Sequence, residues 1–212
     1  MSTRGHDSSN VCFELPNETW IQILRDLKYG DLKRVQGVCK KFRQFVSMED
    51  FDKELFRTGP LEKAPLRGRS INLHPMVART DRIFKSLHNA RIYRSGTVYF
   101  PRDYPAVLEE FATRPTSTEI EMYIPDGIGA YVPPLVNVSG ITVRDLFLHL
   151  ASYWSTKAPG GFHSLKVDEY GIEDEDDVKY IHCLGREGWC GWIRCVARGG
   201  NCTALEAAPF EA

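Results

Sequence analysis

Cys183, Cys190, Cys195 and Cys202 cluster beside His182 toward the end of the sequence. Thiolates next to an imidazole are the donor set of a structural zinc site, which needs ligands in close pairs such as C-x-x-C so that a tight turn aims two sulfurs at one ion. The spacing here is C-x6-C-x4-C-x6-C, with no such pair. Cys195 also alternates with Trp192, Arg194 and Val196 in a strand-like run, where a thiol is an ordinary half-buried side chain. An intracellular chain of this size keeps its cysteines reduced. The sequence therefore predicts no metal and no cofactor. A thiolate metal protein is the alternative that stoichiometric zinc on the purified chain would revive.

Nucleophilic or acid–base chemistry has no better footing. No G-x-S-x-G, phosphate-cradling glycine loop or H-E-x-x-H occurs, so the patterns that place a nucleophile, a phosphate or a catalytic zinc are absent. His149 falls in an apolar-striped helix pattern, His163 stands beside Phe162, and His182 precedes Cys183. A Cys–His pair from these would have to be assembled in space. The run Glu173 to Asp177 reads as a water-facing loop. No catalytic residue is expected, and the chain is read as a non-enzyme.

The formal net charge is -1, which argues against a general nucleic-acid binder, but charge is split along the chain. Lys63, Arg67, Arg69, Arg79, Arg82, Lys85, Arg91, Arg94 and Arg102 are opposed within residues 63 to 102 only by Asp81, while acids dominate from Glu109 onward. The ordinary reading is complementary solvated surface within one fold. The sharper one is an arginine-lined surface for a phosphorylated or acidic peptide. No apolar stretch approaches the roughly twenty residues that span a bilayer, and Met1 to Asn10 lacks the apolar core of a secretory signal. A soluble protein of the cytoplasm, the nucleus or both is expected. Asn137-Val138-Ser139 is then a chance glycosylation triplet.

With 42% hydrophobic and 26% charged residues, the composition suits one small and one medium globular unit. The small unit is Phe13 to Phe51. Leu15-Pro16 opens a first helix, with proline pre-set for a first turn and Glu18 at its positive end. Trp20, Ile23, Leu24 and Leu27 recur at three- and four-residue steps, and Ile21 widens the stripe. Lys28-Tyr29-Gly30 breaks the pattern. Asp31 is a good N-cap for a second helix that begins with Leu32 and Val35 and stops near Gly37. A third helix begins at Val38 and carries Cys39, Phe42, Phe45 and Val46 on one side, away from Lys40, Lys41, Arg43 and Gln44. Three such helices cannot hide all these apolar side chains among themselves, and a unit near 40 residues is insecure alone. The surplus points to a partner polypeptide.

The strings LP-x-E-x-x-x-x-I-L-x-x-L and D-L-x-x-V-x-x-V-C-K-x-F-R within this segment resemble the F-box. In that family three helices dock on a Skp-type adaptor and through it on a cullin, forming an SCF (Skp, cullin, F-box) ubiquitin ligase. The rest of the chain holds the protein substrate. The resemblance implies that Leu15, Pro16, Ile23, Leu24, Leu27, Asp31, Leu32, Arg34, Val35, Val38, Cys39 and Phe42 are adaptor-facing or supporting residues. It departs from the family at Phe42, where Trp is frequent, and at Asp50-Phe51, where Leu-Trp is common. An aromatic is kept in both places, so the expected contact area falls without vanishing.

Beyond the F-box, a further turn or two through Leu55 and Phe56 ends at Gly59-Pro60, and residues 59–70 read as a linker. Ile71-Asn72-Leu73 looks like a short strand, Met76 to Leu87 could be helical, and Arg91 to Phe100 reads as a hairpin around Ser95-Gly96. Pro105 to Phe111 adds a helical turn. Ile120, Met122 and Ile124 alternate as in a half-exposed strand closed by Pro125-Asp126-Gly127. Thr142 and Asp145 begin a helix to Trp154 with a capping-box pattern, its Leu146, Phe147, Leu150, Tyr153 and Trp154 forming a core-facing stripe. Phe162 to Val167, Val178 to Cys183 and Trp189 to Ala197 read as extended segments, and Gly199-Gly200 starts a tail. The expected fold is α+β: a disordered start at 1–12, the three-helix F-box at 13–58, a small mixed α+β domain at 71–198 and a tail at 199–212. No repeat of the propeller or horseshoe kind occurs, so the substrate class cannot be borrowed from receptors built on them. His74-Pro75 with the later Ile141-Thr142-Val143-Arg144-Asp145 is faintly similar to fungal F-box proteins of unknown role. The implied function is a substrate receptor for an unknown target, with no nucleic acid and no membrane. The alternative is a free-standing binding or scaffold protein that uses the basic 63–102 region.

Overall fold

The computed structural model of the chain describes residues 15–60, 65–78, 80–82, 91–94, 97–123, 132–157, 179 and 192–207. The expected disordered start, the Ser95-Gly96 and Pro125–Gly127 turns, the strand at 162–167 and the acidic run 173–177 lie outside these residues. So does the segment 178–183 apart from Lys179. The chain divides into an N-terminal unit, Met1–Leu55, and a C-terminal unit, Phe56–Ala212. Helices in the first are followed by helices and mixed sheets in the second, an α+β arrangement.

The N-terminal unit contains α1 (Asn17–Arg25), α2 (Tyr29–Gln36) and α3 (Lys40–Val46). Pro16 flanks α1 and its carbonyl accepts from the Trp20 N–H at 3.2 Å, so proline costs the helix no bond that it could have made. Helix α2 starts three residues earlier than an Asp31 N-cap implied. Lys28 is its extended N-cap, and Asp31 lies inside the first turn and pairs with Arg34. A carboxylate there still favours the positive end of the helix dipole. Cys39 is not inside α3 but caps it, its Sγ accepting from the Phe42 N–H at 3.5 Å. Leu24, Leu32, Phe45, Val46, Phe51 and Leu55 form the core. Arg25 ties α1 to Asp50 at 2.7 Å.

The C-terminal unit begins at Phe56, a buried aromatic at φ 56°. A bulky residue in this region costs of order 1 kcal/mol. Its ring meets the His74 ring at 4.9 Å, the Arg114 guanidinium lies 5.3 Å from its centroid, and its carbonyl accepts from the Phe111 N–H at 2.8 Å. Strand β1 (Asn72–Leu73) pairs with β5 (Thr113–Arg114). The expected helix at 76–87 is confined to α4 (Pro75–Ala78), because β2 (Thr80–Arg82) follows and joins β3 (Arg91–Arg94) and β4 (Thr97–Tyr99) in an antiparallel sheet. The single turn α5 is Pro105–Leu108.

The main sheet has the order β7-β6-β9-β8, from β6 (Glu119–Tyr123), β7 (Val132–Val136), β8 (Trp192–Gly199) and β9 (Cys202–Ala207). Strand β6 runs parallel to β9, and the other neighbours are antiparallel. The sequence reading of 199–212 as a tail is therefore corrected: residues 202–207 are an inner strand bonded on both sides. Gly199 and Gly200, at φ 115° and 58°, do not end the domain but turn the chain between β8 and β9, using conformations that glycine adopts at little cost. One face of the sheet is closed by α6 (Val143–Trp154), where the capping box of Thr142 and Asp145 forms in full. Ile120, Met122, Val132, Leu146, Phe147, Leu150, Trp154 and Leu205 share its core.

Several buried polar side chains of this unit pair with one another. His74 Nδ1 accepts from the Met76 N–H at 3.1 Å, which leaves Nε2 to donate to the buried Glu110 carboxylate at 3.2 Å. Ser117 bridges Thr113 and Thr203 by hydroxyl contacts. At Gly140, φ is 102° and an added Cβ would meet Phe111 Cε1 at 2.6 Å and Thr116 Cγ2 at 2.7 Å. Gly140→Ala should thus lower the unfolding free energy by about 2 kcal/mol or more, read from chemical denaturation. A chain ending at Gly199 should lose the cooperative unfolding of the C-terminal unit, since β6 and β8 would both be left facing an empty position. Unchanged melting of that shortened chain would contradict the placement of β9.

Candidate functional site

The residues that the sequence assigns to partner binding divide into three groups. Leu24 and Leu32 are 3% and 1% exposed and belong to the unit's own core, so their role is support. Leu27, Val35 and Phe42 are half-buried, brought around that core from the α1–α2 connection, α2 and α3. Asp31 and Cys39 are also half-buried, one bonded to Arg34 and one capping α3. Leu15, Ile23 and Val38 are 43%, 44% and 68% exposed, and Pro16 and Arg34 are exposed with them.

Burying an aliphatic side chain from full exposure is worth about 1.5–3 kcal/mol, so each half-exposed one leaves roughly 1 kcal/mol unrealised. Scattered single apolar residues on a surface are ordinary. Here they recur at the start of α1, on its outer side and in the turn between α2 and α3, on a unit whose core is already filled. Met48, 41% exposed, is a further apolar group that helical periodicity did not single out, because it lies after α3. Trp20 stacks edge-on to Phe42 at 5.0 Å, and its buried Nε1 has no hydrogen-bond acceptor among the described residues. Phe51, which stands where the family often has Trp, is 2% exposed and faces inward.

The chemistry suggested by the cysteines separates by register. Cys195 pairs with Leu205, which pairs with Met122, and both neighbours are buried. Cys202 pairs with Glu119, three residues from Leu205 and therefore on the opposite face of the sheet. These two thiols cannot share one ion. Cys183, Cys190 and His182 lie outside the described residues. Glu119, Glu121 and Cys202 bring ligand atoms within 4.8 Å of one another, enough donors for a divalent ion once the Cys202 thiol gives up its proton. Burial and then the charges of Glu119 and Glu121 push its pKa up to about 11, with Arg198 opposing. Burial alone pushes Cys195 to about 12.

The described histidines, His74 and His149, are committed to structure as well. His149 Nε2 bonds the Pro133 carbonyl at 2.8 Å, and His74 is held as described above. Asn137 of the chance glycosylation triplet donates to Asp145 at 3.0 Å. In the basic stretch, Arg67, Arg69 and Arg102 are exposed, whereas Lys63 and the side chains of Arg79, Arg82, Lys85, Arg91 and Arg94 lie outside the described residues. No helix among the described residues is long and apolar enough to cross a membrane. Since the thiolate is the reactive form, Cys195 and Cys202 should alkylate far more slowly with iodoacetamide at pH 8 in the folded chain than in urea. Site-resolved mass spectrometry would read the rates, and equal rates would contradict their protonated state.

The family model described as F-box-like matches residues 12–58. No curated protein and no solved structure matches the chain. The matched span contains α1, α2 and α3, the core they enclose and the exposed Leu15, Ile23 and Val38; the chain carries an F-box-like domain at residues 12–58.

Proposed function

We propose that this chain is the substrate-receptor subunit of an SCF-type ubiquitin ligase. Residues 13 to 51 grip a Skp-type adaptor, which links them to a cullin, and the C-terminal unit holds a target protein. The observation that carries the reading is the apolar exposure of Leu15, Ile23 and Val38 on a helical unit whose interior is already occupied by Leu24 and Leu32. The adaptor covers the first set; the second set keeps the helices in place to receive it.

In this reading the chain makes and breaks no bonds. It acts by proximity: holding a target beside the charged conjugating enzyme raises the effective concentration of the target's lysines. The work is done in the cytoplasm, the nucleus or both. Leu15, Pro16, Ile23, Arg34 and Val38 meet the adaptor directly, Leu27, Val35 and Phe42 present their outer edges, and Asp31 and Cys39 fix the starts of α2 and α3.

Copurification with the adaptor from native cells tests this. Ile23→Asp and Val38→Asp should each reduce adaptor capture by about tenfold or more, equivalent to roughly 1.4 kcal/mol, with melting unchanged because both positions face water. Leu24→Asp should abolish capture and unfold the N-terminal unit together, since it buries an unpaired charge. Full capture by the Ile23→Asp/Val38→Asp double variant refutes the assignment.

A further inference from the structure

We propose that a shallow depression on the outward face of the four-stranded sheet holds an acidic stretch of the target, with an apolar side chain seated on Val196 and Ala204 and carboxylates engaging Arg194 and Arg198. This rests on the reading of the C-terminal unit as the target-holding part and names the surface that does the holding.

Register builds the depression. Tyr123, Glu206 and Arg194 lie side by side across β6, β9 and β8, and Glu121, Ala204 and Val196 form the neighbouring outward row. Ala204 and Val196 are short, so the surface dips there between Arg194, Arg198 and Tyr123, leaving a volume of about 240 Å³. That admits one side chain of leucine or phenylalanine size over an apolar floor.

The walls supply the charge. Arg194 and Arg198 have 64% and 42% of their side chains exposed, and they stand 3.9 Å from Glu206 and 3.5 Å from Glu121. Neither guanidinium donates a hydrogen bond to any described residue beyond these loose ion pairs, and each carries five N–H donors. Their planar forks match carboxylates. Exposed ion pairs of this kind are worth about 0–1 kcal/mol, little enough for an incoming carboxylate to take the arginines over. Arg198 also lies over the Tyr123 ring at 5.2 Å, which steadies it at the rim. Positive charge follows β8, while Glu206 on β9 and Glu119 and Glu121 on β6 are negative, so an acidic segment has to enter along the β8 edge, where Arg194 and Arg198 meet it. The arginines of the 63–102 stretch are not needed for this.

The test uses the full chain and three fluorescein-labelled peptides of equal length, with leucine flanked by glutamates, by glutamines or by lysines, followed by anisotropy. The glutamate peptide should bind about tenfold tighter than the glutamine peptide. The difference should vanish in an Arg194→Gln/Arg198→Gln variant whose melting is unchanged. Three results overturn the proposal: equal binding of the two peptides, preference for the lysine peptide through Glu121 and Glu206, or a glutamate preference that survives the double replacement. Adaptor capture is measured on the same proteins. An intact capture with no peptide preference sinks this inference alone, whereas failure of the unaltered chain to capture adaptor sinks the ligase reading.

Discussion

A unit of three short helices encloses very little space, and that limit governs the N-terminal part of this protein. Surface grows relative to volume as a domain shrinks, so Leu24, Leu32, Phe45, Val46, Phe51 and Leu55 fill the interior and the remaining apolar residues have nowhere to go. Trp20, Ile21, Leu27, Val35 and Phe42 pack around the edge of the core. Ile23 and Val38 stay in water. The same shortage that leaves the unit weakly stabilised alone leaves it with apolar surface to offer, and polar devices at the helix ends then matter more than they would in a larger domain. The Cys39 cap and the Arg25–Asp50 pair are such devices. Each is a contribution of order 1 kcal/mol or less, set against a core too small to make them redundant.

The departures from the usual F-box pattern follow the same logic. Phe51 is inward and Asp50 is held by Arg25, so the residues standing for Leu-Trp stabilise the unit itself. Phe42 is half-buried between Trp20 and Phe45, at ring distances of 5.0 and 6.5 Å. A smaller ring at position 42 is compensated from within by Trp20, which places a large aromatic against it. The apolar area offered to water is thereby reduced at 42 and 51, and more of it is left to Leu15, Ile23, Val38 and Met48.

Local patterns were legible in the sequence where a single segment fixed the answer. The capping box at Thr142 and the stripe down α6 depend on residues three and four apart, and the alternation of Ile120 and Met122 depends on residues two apart. Strand β7 was not foreseen, and its Pro133 and Pro134 are unusual in a strand; at a sheet edge a proline forfeits no inward ladder bond. Strand β9 was misread because its parallel partner β6 lies about eighty residues earlier in the chain, beyond the reach of any local pattern. The surplus of apolar residues in the helical unit was legible in the sequence, but not its division into buried and exposed. Periodicity shows that α1 has too many apolar positions, while only the packing of α2 and α3 decides that Leu24 turns inward and Ile23 outward. Arg194 was read only as part of a strand-like alternation and Arg198 drew no notice, because what assembles their surroundings is the register of three strands.

That register also explains why cysteine spacing misleads as a guide to metal chemistry here. Side chains alternate across a strand, so every pairing assigns each residue to a face, and a slip by one residue would invert the assignment. Irregularities at Trp192/Arg194 and Ala197/Gly199 shift the β8 register within the strand, yet Cys195 stays opposite Leu205 and Val196 opposite Ala204. The first pair belongs to the core face and the second to the outward face. Moving Cys195 by one position would expose its thiol and drive Val196 into the space beside Met122, closing the depression and opening the core at once. The identity of both faces therefore rests on the turn at Gly199-Gly200, whose two left-handed residues set where β9 begins and with it which side chains this protein turns toward water.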